Sequence, residues 1–236
     1  MRKVAVVTGC SYGLGLEIAD RLIDEGYFVC GLSRTQPPMK LFSAPDTFQW
    51  IECDVSNAEE VKLAFDKMGV FIDVLVNNAG VFEYGEFSSQ SMKTIDKIID
   101  LNVKGTMYVT KAAQKYMVRG SHIFFINSVA GLYEIKNEAI YAASKHALTA
   151  FAGILGEELR NDQIKVTSIH PGGIDTPMQR NNPIKKELLD PTEISNLKQH
   201  IKQSNYFLSQ NGTNNPKSAV VHRNICVIPT NGCYQS

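Results

Sequence analysis

Two apolar patterns alternate along the chain. Short runs such as Val4–Val7 are apolar at every position, which suits a strand buried on both faces. Longer segments carry apolar residues three and four apart, and Leu14, Ile18, Leu22 and Ile23 form one such stripe over 13–25. The same reading predicts further strands at Tyr27–Leu32, Phe48–Cys53, Val74–Val76, His122–Ile126 and Lys165–Ile169. It predicts helices at Ala58–Met68, Met92–Met117 (one long helix) and Ile140–Arg160. Strand–helix alternation at this spacing means βαβ units with right-handed crossovers. The expected fold is α/β, one doubly wound parallel sheet of about seven strands with helices on both faces.

The pattern loosens after Thr176. Asp190-Pro191-Thr192-Glu193 reads as a helix start, with Asp190 as N-cap, Pro191 in the first turn and Glu193 as a capping-box acid. Ile194, Leu197, Ile201 and Leu208 follow at helical spacing. Residues 211–217 read as a polar loop and Ile225–Ile228 as a last strand. With no repeat or linker, residues 1–236 read as one domain, with a substrate lid and helix over 179–210.

Composition narrows the class of partner. The 236 residues are 44% hydrophobic and 20% charged, with 24 basic and 24 acidic side chains. That excludes collagen-like, coiled-coil and strongly disordered chains, and zero net charge removes the footprint of a nucleic-acid or anionic-membrane binder. The balance is uneven: residues 1–175 hold 17 basic and 21 acidic groups, and 176–236 hold 7 and 3. The five cysteines are scattered, without a paired spacing or a Cys/His cluster, which argues against a disulfide framework or a zinc site. Val4–Val7 is too short for a signal-peptide core, and no run is long enough to span a membrane. These features point to a cytoplasmic protein, and Asn211-Gly212-Thr213 reads as a chance glycosylation match.

Candidate chemistry begins between the first strand and first helix, at Thr8-Gly9-Cys10-Ser11-Tyr12-Gly13-Leu14-Gly15. Glycines permit the tight turn and the close approach of backbone to a pyrophosphate, whose charge then meets the positive helix end. The strand–turn–helix context marks a dinucleotide site contacted by Gly9, Ser11, Tyr12, Gly13, Leu14 and Gly15. The second strand ends Ser33-Arg34-Thr35, with no acid for a ribose 2′-hydroxyl. Ser33 stands in the acid's place, and the Arg34 guanidinium can bind a 2′-phosphate bidentately, so NADP(H) is expected over NAD(H).

The Gly-x3-Gly-x-Gly spacing after Thr8 resembles the cofactor loop of the short-chain dehydrogenase/reductase family, a Rossmann-like fold. Further motifs in order carry the resemblance from Lys3 to about Met178. It implies that Asp54 and Val55 hold the adenine and that Asn78, Ala79 and Gly80, within Asn-Asn-Ala-Gly, let the ribose lie against backbone. Asn102, Ser128, Tyr141 and Lys145 match the family's catalytic tetrad. Pro171, Gly172, Ile174 and Thr176 match the segment that binds the nicotinamide carboxamide. The implied activity is interconversion of a carbonyl and an alcohol, with Tyr141 as general acid/base, Ser128 holding the carbonyl oxygen and Asn102 holding a water that links Lys145 to solvent. The family's helix contacts imply a homodimer or homotetramer.

The tetrad also makes chemical sense. Tyr141 and Lys145 are i and i+4 on one helix face. A tyrosine with pKa about 10 becomes a useful acid/base near pH 7–8 only with roughly 3–4 kcal/mol of added preference for phenolate. A lysine cation acts in that direction, and the Ser128 hydroxyl would stabilise charge developing on the substrate oxygen. His122 and His170 lie at strand edges outside the motifs and read as packing residues.

Loops after the fourth, fifth and sixth strands offer Phe82, Tyr84, Ala130, Leu132, Tyr133 and Met178 to a substrate, beneath a lid over Asn181–Leu189 that includes Lys185 and Lys186. Most are apolar or aromatic, which suits a medium-sized, moderately apolar ketone or aldehyde. Two other readings differ in kind. A sugar-nucleotide epimerase or dehydratase also uses Tyr-x3-Lys, but in longer chains with Gly-x2-Gly-x2-Gly loops. A non-catalytic dinucleotide sensor would be expected to have lost a tetrad member.

Overall fold

In a computed structural model of the chain, the described residues are 2–179, 188, 190–195, 220–222 and 225–229. The strands are β1 (Val4–Thr8), β2 (Phe28–Ser33), β3 (Phe48–Glu52), β4 (Ile72–Asn77), β5 (Met117–Ile126), β6 (Lys165–Pro171), β7 (Val220–His222) and β8 (Ile225–Pro229). They form one sheet in the order β3-β2-β1-β4-β5-β6-β8-β7. The first six in chain order pair in parallel, as the near-continuous apolar runs require. The Ile225–Ile228 strand is present but runs antiparallel to β6, and β7 pairs antiparallel with it. The sheet is thus six parallel strands extended by an antiparallel pair.

Alternation within strands explains the two cores. Ala5 and Val7 of β1 face one layer with Leu14, Ile18 and Leu22 of α1 (Leu14–Asp24). Val6, between them, faces the other with Val61 and Phe65 of α2 (Ala58–Met68) and with Ala152 and Leu155 of α5 (Ala139–Glu158). Helix α2 is bounded as its sequence dictates. The Asn57 side chain accepts from the Glu59 and Glu60 amides at 3.1 and 3.3 Å, and Gly69 closes it in the left-handed region.

The long helix expected over Met92–Met117 is three pieces. Helix α3 (Met92–Ile98) passes into a π-helical stretch, Ile99–Gly105, then α4 (Thr106–Gln114). The wide turn sits where Asn102 is drawn into contact with Val81. Gly105 brings this stretch against β3's exit loop, since a Cβ there would lie 3.0 Å from the Val55 carbonyl oxygen. The strand expected from His122 starts at Met117, beyond a register shift against β4.

After β6 the described chain includes α6 (Pro191–Ser195), packed against α1. Asp190 caps it as expected, its Oδ1 accepting from the Thr192 amide at 2.8 Å. Leu197, Ile201, Leu208, the 211–217 loop, Lys185, Lys186 and all of the expected lid except Leu188 lie outside the described residues. No helix among the described residues is long and apolar enough to cross a membrane.

Candidate active site

Parallel pairing puts the C-terminal ends of β1 to β6 along one edge, where ligands bind in open α/β sheets. A cavity of about 600 Å³ opens there. Its walls include all the residues singled out for cofactor and catalysis except Asn102.

The phosphate loop is shaped by steric necessity. Gly9 and Gly13 hold φ of +67° and +60°, a region costly for side-chain-bearing residues. A Cβ on Gly15 would lie 2.2 Å from the Gly9 carbonyl oxygen and 2.4 Å from Asn78 Nδ2. The loop is clamped to the end of β4: Thr8 Oγ1 accepts from the Asn78 and Ala79 amides at 3.0 Å each. Asn78 Nδ2 returns bonds to the Thr8 and Gly9 carbonyls at 2.9 and 3.1 Å. Asn78 therefore builds the loop. Across the cavity a Cβ on Gly13 would touch the Thr176 side chain at 3.2 Å, so the loop and the segment after β6 face each other closely.

At the end of β2 the structure separates Ser33 from Arg34. Ser33 is buried, donates to the Thr35 carbonyl at 2.8 Å and accepts from Trp50 Nε1 at 3.2 Å. Its hydroxyl is committed to holding the strand end, while Ser11 donates to the same Thr35 oxygen at 2.7 Å and ties the phosphate loop to it. Arg34 is 66% exposed, with Nη1 4.0 Å from Asp54 Oδ2. Asp54 is turned partly inward, its Oδ1 accepting from the Ser56 amide and hydroxyl. Tyr12 stands 61% exposed at the rim. Beneath lies Cys10, 3.6 Å from Ser33 Oγ, its thiol pushed up to about 11 by burial.

Ser128 follows β5, and Tyr141 and Lys145 lie on α5. The Ser128 hydroxyl accepts from the Ala130 amide at 3.1 Å and acts on the Tyr141 phenol to favour its charged form. Phe82 stands edge-on to the Tyr141 ring at 4.9 Å. Lys145 Nζ donates to the Ile126 carbonyl at 3.1 Å and lies 5.6 Å from the tyrosine ring centre. Burial pushes the phenol up to about 12; the Ser128 hydroxyl opposes this and the Glu138 charge adds to it. Burial brings Lys145 down to about 8. The lowering of Tyr141 expected from Lys145 is thus absent in the chain by itself, because desolvation dominates and the ammonium serves a backbone carbonyl.

Asn102 is fully buried. Its Oδ1 accepts from the Val81 amide at 2.8 Å, and its Nδ2 donates to the Val81 carbonyl at 3.0 Å and to Ser144 Oγ at 3.1 Å. The side chain is fully used in joining the loop after β4 to α5. His122 is half-buried and bonded to Thr167 Oγ1 at 2.9 Å. His170 is fully buried behind Ser128.

Phe82, Tyr84 and Met178 line the cavity as expected, but Ala130, Leu132 and Tyr133 do not. Ala130 is buried in the turn after Ser128, and Tyr133 faces outward at 59% exposure. Glu83, Lys97, Leu101, Ile135 and Glu138 line the cavity without having been singled out. Glu138 had a readable signal: it precedes Tyr141 by three residues, one helical turn on the same face.

The doubly wound sheet and a clamped glycine loop sharing one cavity with a Ser, Tyr and Lys define a dinucleotide-dependent oxidoreductase. Residues 3–187 match the sequence family described as short chain dehydrogenase, and the chain belongs to that family. An uncharacterized oxidoreductase of Staphylococcus aureus strain N315 is 34% identical over 203 residues, covering 82% of this chain and 87% of its own. Among solved structures, ligand-free aldohexose dehydrogenase of Thermoplasma acidophilum superposes with TM-score 0.73 at 33% identity, covering 82% of this chain and 84% of that one. A short chain dehydrogenase of Burkholderia cenocepacia in complex with NADP gives 0.76 at 26%, covering 84% and 89%. The 3-oxoacyl-[acyl-carrier protein] reductase of Brucella melitensis in complex with NAD gives 0.71 at 29%, covering 76% of each chain. These neighbours support a nicotinamide dinucleotide as cofactor. The loop fits one: its glycines leave no room for side chains where a pyrophosphate would meet backbone.

Proposed function

We propose that this chain interconverts a carbonyl compound and its alcohol with NADP(H), Tyr141 acting as general acid/base. The observation that carries this reading is that Ser128, Tyr141 and Lys145 line the same cavity as the Gly9–Gly15 loop. When bound, the nicotinamide supplies hydride to, or takes it from, the substrate carbon. Ser128 holds the substrate oxygen and stabilises charge developing there. Tyr141 gives that oxygen a proton in reduction and removes one in oxidation. Lys145, whose charge is costly to bury, favours the phenolate left behind. Asn102, in this reading, positions Val81 and Ser144 through its side-chain bonds.

Gly9, Ser11, Tyr12, Gly13, Leu14 and Gly15 would hold the pyrophosphate. Asp54 and Val55 would hold the adenine, with Asn78, Ala79 and Gly80 beneath the ribose. Pro171, Gly172, Ile174 and Thr176 would hold the carboxamide. Arg34 supports NADP(H) over NAD(H), because its guanidinium is largely exposed beside a single carboxylate 4.0 Å away and can turn to a 2′-phosphate. Ser33 contributes only by not being an acid. We further propose one catalytic domain over 1–236, a cytoplasmic location and a homodimer or homotetramer. The oligomer would bury the α5 face where Ile154 is 62% exposed. The reading is tested by offering the full chain a panel of ketones and aldehydes with NADPH. Oxidation of NADPH by at least one class is expected, and none with any would overturn it.

A further inference from the structure

Glu138 has no part in the chemistry described so far. It precedes α5 at the N-cap position, yet makes no capping bond. It is 8% exposed and lines the cavity one helical turn before Tyr141. Among the described residues its carboxyl has no hydrogen bond or ion pair, although its charge reaches the Tyr141 phenol. The residue lines the cavity, so a group bound there can reach its carboxyl.

The surrounding groups indicate what that partner is. Asn137 Nδ2 donates to Tyr84 Oη at 2.9 Å, so the Tyr84 hydroxyl keeps its own proton to donate. Glu83 and Lys97, which line the same cavity, form a 2.9 Å pair. The cavity therefore offers acceptors and donors together, which match hydroxyl groups. An ammonium substituent would instead meet two lysines, Lys97 and Lys145.

Resting on the proposed carbonyl–alcohol activity, we infer that Glu138 is a specificity residue accepting a hydrogen bond from a substrate hydroxyl near the reacting carbonyl. The substrate class is then a hydroxy ketone or hydroxy aldehyde and its diol. A parent ketone lacking that hydroxyl leaves Glu138 unpaired, and sites built this way discriminate strongly against the analogue.

The test uses matched probes, 2-hydroxyacetophenone against acetophenone, with 2-aminoacetophenone as a third arm. Binding is measured by calorimetry on the NADPH complex of full-length Tyr141→Phe, in which turnover is blocked. With Glu138 intact, the hydroxy ketone should bind at least about 30-fold more tightly than either other probe. Glu138→Leu should bring all three within about threefold, and Glu138→Gln, which keeps an acceptor oxygen, should fall between. Equal binding of the hydroxy and parent ketones with Glu138 intact overturns the inference, as does preference for the amino ketone or a preference that survives Glu138→Leu. Turnover is scored separately: a Glu138-dependent preference without NADPH oxidation by wild type would sink the proposed activity and leave the hydroxyl subsite standing.

Discussion

His170 Nδ1 lies 3.0 Å from the backbone carbonyl oxygen of Ser128. A carbonyl only accepts, so the proton is on Nδ1 and the buried Nε2 is left as an acceptor without a partner among the described residues. Burial holds this imidazole at about 4, neutral in the physiological range. A residue outside the sequence motifs thus pins the backbone that presents the Ser128 hydroxyl. His170→Leu removes one of two bonds to that carbonyl, which keeps its 2.9 Å bond from the Gly131 amide; the change should cost about 1 kcal/mol and lower kcat by about 10-fold through misplacement of Ser128. Urea denaturation and steady-state kinetics on the same preparation check both. Unchanged kcat would show that Ser128 does not depend on this bond.

Two histidines, His170 buried and His122 half-buried, set a pH dependence. His122 is held at about 3 and His170 at about 4, both by burial first. In the unfolded chain each takes up a proton near pH 6.5. Their stabilising contribution is therefore complete above about pH 6.5 and is lost as pH falls toward 4 and 3. At 1.36 kcal/mol per unit the two together remove about 5 kcal/mol by pH 4.5. Unfolding free energy at pH 7 and pH 4.5 should differ by that order. Equal values would show that the imidazoles are not held neutral.

Gly15 leaves no room for a methyl group. Gly15→Ala places a Cβ 2.2 Å from the Gly9 carbonyl oxygen, so the loop must open. A stability loss of about 1–3 kcal/mol is expected, with NADPH affinity reduced by tenfold or more. Thermal melts and NADPH fluorescence titration measure the two. Wild-type affinity in this variant would argue against a cofactor cradled by the loop backbone.

The proposed preference for NADP(H) rests on Arg34. Wild type should bind NADPH at least about tenfold more tightly than NADH, and Arg34→Ala should bring the two within a few-fold by weakening NADPH alone. Equal binding of both cofactors by wild type would refute the assignment. Loss of NADH affinity in Arg34→Ala would instead mean that the side chain supports the adenosine site generally.

Much of this site was legible because local sequence dictates it. A glycine loop between an apolar strand and an amphipathic helix has few conformations open to it, and Tyr141 and Lys145 share a face by helical period alone. The parallel sheet followed from strands that are apolar on both faces. What was hidden depended on contacts distant in sequence. The apolar spacing over 92–117 does not reveal a π-helical stretch whose Asn102 pairs with Val81. Ser33 looked like a ribose contact until Trp50 and Thr35 claimed its hydroxyl. The antiparallel return of β8 depends on how the chain approaches β6, which strand hydrophobicity does not encode. Glu138 was visible as an acid one turn before Tyr141, but only its place in the cavity wall gives it meaning.

The central claim is that Tyr141 exchanges the proton with substrate. Tyr141→Phe removes one oxygen and leaves Lys145, Ser128 and the phosphate loop in place. With a carbonyl substrate found by screening, the account predicts that this variant binds NADPH within about threefold of wild type while its NADPH oxidation falls by about 100-fold or more. Turnover within a few-fold of wild type would contradict it and move the proton transfer to another group.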